Sequence, residues 1–136
     1  MQTFSLDHDL ATIASRDRTL VVAVGAADRA ILDACRRAGV ATATPDAVTD
    51  KTLDRVLIFG GPAETTLLRV AFALGRRART VGIVWDATYG DSELSLAITR
   101  DRATQAGVIP YTLAALIAEL RLDLPLTSRP RYAEVA

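Results

Sequence analysis

The chain has 136 residues, half of them apolar, and its sixteen basic side chains balance sixteen acidic ones. This size predicts one domain whose core needs neither a metal nor a disulfide. The balanced charge argues against a broad surface for nucleic acid or anionic membrane. No apolar run reaches the roughly 20 residues needed to cross a bilayer, and the first residues lack the layout of a secretory signal, so we expect a cytoplasmic protein.

One cysteine and one histidine limit the available chemistry. Cys35 shares a helix face with Ile31, which predicts a small buried core residue, and a lone cysteine excludes an intramolecular disulfide. His8 lies between Asp7 and Asp9. Because adjacent residues on a helix point in different directions, we expect exposed charges there rather than a metal site. The sequence indicates no metal and no particular cofactor.

The first half of the chain alternates helical and strand patterns. Ser5 can cap an amphipathic N-terminal helix, and residues 19–24 form an apolar, β-branched run typical of a strand buried on both faces. Apolar residues then recur at helical spacing over residues 28–38, which predicts a helix. Residues 40–44 predict a weaker second strand, and residues 47–53 fit a brief helix.

The middle of the chain repeats the strand-helix order more clearly. Residues 55–59 predict a third strand, and Gly60-Gly61-Pro62 then opens a helix with Pro62 at its first position. The negative charge of Glu64 is favourable near the positive, amino-terminal end of that helix. Gly75 marks the end of the helix. Residues 80–85 predict a fourth strand.

The last third contains one ambiguous segment. The apolar positions of residues 92–105 fit both strand alternation and a helix, and we predict a helix. Residues 107–111 predict a short fifth strand, Thr112 caps a last helix, and Pro125 stops it. We expect residues 126–136 to be an extended or disordered tail.

The order of these elements predicts the fold class. Strands alternating with helices indicate a single α/β domain over residues 1–125, with three αβα layers, right-handed crossovers and a mostly parallel five-stranded sheet of (βα)5 type. The expected strand order is 2-1-3-4-5, with an extra N-terminal helix.

Open parallel sheets bind ligands at the carboxyl ends of their strands. There, Gly60 and Gly61 expose backbone N–H groups before a helix, which can hold a phosphate or carboxylate, and Thr65 can add a hydroxyl. The Walker ending Gly-Lys-Thr and the Gly-x-Gly-x-x-Gly pattern are both absent. A plain strand-to-helix turn is therefore the alternative interpretation.

The loop predicted after the fourth strand carries the most polar cluster: Asp86, Thr88, Tyr89 and Asp91. Two carboxylates five residues apart can hold a magnesium ion or share a proton if the loop folds back. Alternatively, Asp91 only prepares the following helix start. No histidine or cysteine lies at this edge, which removes the usual general bases and nucleophiles.

Four aromatic residues fall at or just beyond the carboxyl ends of the third, fourth and fifth strands. They are Phe59, Trp85, Tyr89 and Tyr111. Either they cap the core beneath the loops, or they form a stacking surface for a ligand or a partner.

From Leu20 onward, the strand-helix order and the closing segment Ala106-Gly107-Val108-Ile109-Pro110-Tyr111-Thr112-Leu113 resemble a response-regulator receiver domain, of the flavodoxin-like type. Thr88 and Tyr111 match the positions of that family's switch residues. Gly25-Ala26-Ala27 replaces the family's acidic pair, Gly60-Gly61 replaces its phosphorylated aspartate, and its lysine after the fifth strand is missing. The resemblance thus implies a degenerate module that works by contact, without aspartyl phosphorylation.

The leading functional hypothesis is a non-catalytic regulatory or protein-interaction module of receiver-like type. The alternative is a small-molecule or phosphate-ligand-binding protein, or an enzyme, that uses the Gly60 and Asp86 loops. A DNA-reading helix-turn-helix needs a second basic helix, which is absent, so we expect neither nucleic acid nor membrane as a partner. The apolar side chains of Leu120, Leu122 and Leu124 predict a homodimer, and a further protein partner is possible.

Overall fold

The computed structural model describes residues 18–47 and 53–125. The predicted N-terminal helix, His8 and the tail after Pro125 lie outside those ranges, as does most of the brief helix predicted over residues 47–53. No helix within the two described ranges is both long and apolar enough to cross a membrane.

Five strands form one sheet in the order β2-β1-β3-β4-β5, and every neighbouring pair is parallel. The strands are β1 (Thr19–Val24), β2 (Ala41–Ala43), β3 (Leu53–Gly60), β4 (Ala78–Thr88) and β5 (Ile109–Tyr111). The predicted parallel sheet and its order are confirmed. The chain crosses from β2 at one edge to β3 beside β1, so the strand order reverses between β1 and β3.

Helices cover both faces of this sheet. The α-helices of the described residues are α1 (Arg29–Arg37), α2 (Leu68–Leu74), α3 (Glu93–Gln105) and α4 (Leu113–Leu120). A π-turn, Ala63–Leu67, leads directly into α2, and Pro45–Ala47 is a short 3-10 turn. The helix predicted in the ambiguous segment is confirmed, because the Ser92 side chain caps α3 by accepting from the Ser95 N–H at 3.0 Å.

The core is divided by the sheet into two apolar clusters. Val21 and Leu57 point to the side covered by α1 and α4, whereas Val22 and Ile58 point to the side covered by α2 and α3. Alternate residues of each strand thus feed opposite clusters, as expected for strands buried on both faces. This arrangement is a three-layer αβα domain.

Several boundaries differ from those predicted; for example, Leu53, expected to end the brief helix, begins β3. β4 continues through Asp86 and Thr88, which were expected in a loop, because its pairing with β3 shifts register and resumes at Gly60 and Thr88. Pro62 has an extended backbone and caps the π-turn, so it is not the first helical residue. α4 ends at Leu120, where Arg121 takes a left-handed conformation with φ 55°, well before Pro125.

Of the three leucines invoked for a homodimer, two are buried and one is partly buried. Leu120 and Leu122 are buried in the cluster beneath α1 and α4, and Leu124 packs against the same cluster. The segment after α4 is also tied to α1, because Arg37 Nη2 donates to the Asp123 carbonyl at 3.2 Å. The premise that these leucines are surplus apolar surface is therefore wrong.

Candidate functional site

The carboxyl ends of β1 and β3, where the strand order reverses, are closed by the chain itself. The Gly61 N–H donates to the Val24 carbonyl at 3.0 Å, and the Tyr89 N–H donates to the Gly60 carbonyl at 2.8 Å. A Cβ added at Gly25, whose φ is +62°, would overlap the Gly61 carbonyl oxygen. The loops after β1, β3 and β4 are therefore bound to one another at the edge where open α/β sheets commonly bind ligands.

Tyr89 completes this closure. Its hydroxyl oxygen accepts from the Ala26 N–H at 3.2 Å, and its carbonyl accepts from the Ala63 N–H at 2.9 Å. The ring packs over Gly61, where an added Cβ would lie 3.3 Å from Cδ1 of the ring. Half-buried Tyr89 thus joins the loops after β1, β3 and β4.

Glu64 is a functional candidate whose position in the sequence predicts only a favourable interaction with the helix dipole. Its Oε2 accepts from the Asp91 N–H at 2.9 Å and from the Ser95 hydroxyl at 2.5 Å. Gly90 permits this approach, because a Cβ there would lie 2.5 Å from Oε2. The other oxygen, Oε1, is buried and has no hydrogen-bond partner among the described residues.

Two opposing effects act on the pKa of Glu64. Burial raises it, but the hydrogen bonds from Ser95 and from the Asp91 and Glu64 backbone outweigh burial, so the pKa lies below its ordinary value. The carboxylate is therefore ionised at neutral pH, and an ionised carboxylate can only accept hydrogen bonds.

Glu64 lines an open cavity of about 340 Å³ between the start of α2 and α3, which we call the α2–α3 groove. Its lining residues are Glu64, Leu68, Ser92, Leu94, Ser95, Ile98, Thr99 and Arg102. Two apolar side chains of α3 stand open to solvent there, with Leu94 72% exposed and Ile98 45% exposed. The groove thus combines an ionised acceptor with aliphatic walls.

A second cavity, of about 250 Å³, brings together several predicted residues at the ends of β4 and β5. Trp85, Asp86, Leu96, Arg100, Tyr111 and Thr112 line it. Trp85 is only 8% exposed, and its Nε1 is buried without a partner among the described residues. Phe59 is fully buried, so Phe59 and Trp85 are core aromatics rather than an open stacking surface.

Asp86 and Tyr111 each have a structural partner. Asp86 Oδ1 accepts from the Leu113 N–H at 2.6 Å, which satisfies a free donor in the first turn of α4. The Tyr111 ring lies over Gly82, and its hydroxyl accepts from Arg55 Nη1 at 3.3 Å. Asp86 thus holds the start of α4 to β4, and Tyr111 links β5 to β3.

The remaining predicted residues are dispersed. Thr65 is exposed on the π-turn, whereas the buried Thr88 hydroxyl donates to the Val84 carbonyl at 2.7 Å. Asp91 is exposed and gives its backbone N–H to Glu64. Within residues 18–47 and 53–125, no group of three or more His, Cys, Asp or Glu side chains is placed to hold a metal.

Cys35 is a core residue, as predicted. It is fully buried on α1, and burial raises the pKa of its thiol to about 11. At neutral pH the thiol is therefore protonated and a poor nucleophile.

Comparisons with known proteins indicate a fold rather than a family. No protein-family model matches the chain, and no curated protein matches it. A solved structure described as MAR1 ribonuclease from Caenorhabditis elegans is similar over 88% of each chain, with a TM-score of 0.65 and 17% sequence identity. At that identity the likeness shows the fold alone, a five-stranded parallel α/β sheet.

Proposed function

We propose that this chain is a non-catalytic protein-interaction domain that binds its partner in the α2–α3 groove. The observation that carries the proposal is the exposure of Leu94 and Ile98, 72% and 45%, on the wall of that groove. Aliphatic side chains gathered at a groove with a polar floor are typical of protein-binding sites.

The contacts that close the carboxyl ends of β1 and β3 favour a protein-binding function over the binding of a small ligand. The Gly61 N–H is already given to Val24, and the Glu64 carboxylate stands beside the helix start where a phosphate would have to bind. Like charges repel, so this place disfavours an anion. The receiver-like resemblance, which implies a module without phosphorylation, agrees with this proposal and remains part of it.

RNA hydrolysis is the second candidate, because the structural neighbour is named a ribonuclease. Asp86 would be the residue to test, since it is an exposed carboxylate at the end of β4 that lines a cavity with Arg100. Incubation with single-stranded RNA and Mn²⁺ should give no cleavage above buffer. Cleavage that Asp86→Asn abolishes would contradict the interaction proposal.

The groove can be tested with a random dodecapeptide library displayed on phage and selected on the native protein. Selected peptides should bind Leu94→Asp at least tenfold more weakly, because the substitution places a carboxylate on the apolar wall. Phe72→Asp is the matched control, since Phe72 is 46% exposed on α2 but lines a different cavity. Equal binding to the native protein and to Leu94→Asp, or no selectable peptide, would refute the groove as the docking surface.

A further inference from the structure

We propose that the partner segment of the α2–α3 groove is an amphipathic helix with two apolar residues and, one turn further on, an acidic residue that meets Arg102. This inference rests on the groove being the docking surface proposed above. It adds the secondary structure, the spacing and the charge of the partner, which the exposure of Leu94 and Ile98 alone does not specify.

Leu94, Ile98 and Arg102 form a single row along α3. They are spaced four residues apart, so they lie on one side of the helix and successive residues are separated by about 6 Å along its axis. Both apolar side chains are open to solvent, and Arg102 is exposed as well. A partner that lies along this row therefore meets two apolar side chains and then a cation about 12 Å from the first of them.

The lining of the groove favours a helix over an extended segment. The described lining residues all belong to the π-turn, to α2, to α3 or to its cap, and none of them belongs to a strand. An extended segment therefore finds no strand edge with which to pair, whereas a helix satisfies its own backbone hydrogen bonds and docks through its side chains. Side chains four residues apart on a partner helix also repeat the spacing of the row on α3.

Arg102 selects an acidic residue at one end of this row. Its guanidinium forms no ion pair with a carboxylate of the described residues, so its charge is available to a partner. The carboxylate of Glu64 lies at the other end, because it accepts from Ser95, which precedes Arg102 by about 10 Å along the axis of α3. An acidic residue of the partner is therefore attracted at the Arg102 end and repelled at the Glu64 end.

A double-mutant cycle on the selected dodecapeptides tests the charge. We expect their sequences to share two apolar residues four positions apart, with Asp or Glu at the next step of four. Arg102→Gln should weaken binding about threefold to fivefold, the size expected of an exposed ion pair. Replacing the peptide's Asp or Glu by its amide should weaken binding to the native protein equally. Applied together, the two changes should weaken binding little more than either one.

Arg69→Gln is the matched control, because it removes the same charge from an exposed position on α2 outside the groove lining. It should leave affinity unchanged. The effect of Arg102→Gln should disappear in about 1 M salt, which screens charges beyond about 3 Å. Peptides that lose affinity with Leu94→Asp but bind Arg102→Gln as tightly as the native protein would overturn the acidic contact and leave the docking surface standing.

Proline substitution in the same peptides tests the helix. Proline placed midway between the two apolar residues should weaken binding at least tenfold, because inside a helix it removes a backbone hydrogen bond and clashes with the preceding turn. Alanine at the same position is the control and should be tolerated. Selected sequences whose apolar residues alternate, and which accept proline between them, would overturn the helical partner.

Discussion

Glu64 joins three parts of the chain through one carboxylate, because its own π-turn, the β4–α3 loop and the first turn of α3 meet at Oε2. Its pKa in the folded protein lies below its ordinary value. Ionised Glu64 therefore stabilises the fold at pH values above the unfolded pKa of about 4.3, and this contribution is lost as the pH falls through the folded pKa.

This linkage predicts a difference between two pH profiles. From pH 5 to pH 3, the melting temperature of the native protein should fall more steeply than that of Glu64→Gln, which has no carboxyl group to protonate at this position. Circular dichroism melts at half-unit steps measure both slopes. Parallel profiles would show that the Asp91 and Ser95 hydrogen bonds do not depend on ionised Glu64.

Tyr89 offers a second test at this scale. Tyr89→Phe keeps the ring over Gly61 but removes the acceptor for the Ala26 N–H. We expect a loss of about 1 kcal/mol in unfolding free energy, which is typical of a single hydrogen bond. Urea titration measures it, and the selected peptides should bind the variant normally. A loss of peptide binding would instead locate the docking surface at the end of β1.

At the scale of elements, the sequence of α3 leaves both its secondary structure and its buried face ambiguous. Its apolar positions fit both a strand and a helix, and its hydrophobic pattern does not separate an inner from an outer face. The structure buries Thr99 and Ala103 and leaves Leu94 and Ile98 exposed. A helix was predictable from the Ser92 cap, but its exposed face depends on packing against the π-turn and β5.

A leucine-to-alanine substitution should lower the unfolding free energy much more in α4 than in α3. Leu116→Ala removes a fully buried side chain of α4 and should cost about 2–5 kcal/mol of unfolding free energy. Leu94→Ala removes an exposed side chain of α3 and should change stability by no more than about 0.5 kcal/mol. Chemical denaturation compares the two. A large loss for Leu94→Ala would mean that it packs in the fold and is not a docking residue.

At the scale of the whole molecule, the strand order and the layers followed from the alternation of apolar runs and helical spacing. The contacts that close the carboxyl ends of β1 and β3 could not be predicted from these patterns. They depend on β4 resuming its pairing at Thr88, opposite Gly60, and on Tyr89 reaching Ala26, and they join residues far apart in the chain. Local pattern carries no signal for such contacts, and for the same reason Glu64 was predicted only as a partner of the helix dipole.

The homodimer remains a prediction, but a surface other than the three C-terminal leucines has to form it. We propose pairing through the edge strand β5 and its flanking helices α3 and α4, because Ile109 of this strand is 40% exposed. Light scattering at micromolar concentration should give twice the 14.5 kDa chain mass. Ile109→Asp should restore the monomer mass. A native protein that is already monomeric would contradict the prediction.

The docking surface can be located directly by backbone amide NMR, with a ¹⁵N-labelled native protein titrated with one selected peptide. The largest chemical-shift changes should fall on Glu64, Leu68 and the stretch from Ser92 to Arg102, which together line the α2–α3 groove. Changes concentrated instead on the loops around Gly25 and Gly61, or on α1 and α4, would contradict the proposed interaction domain.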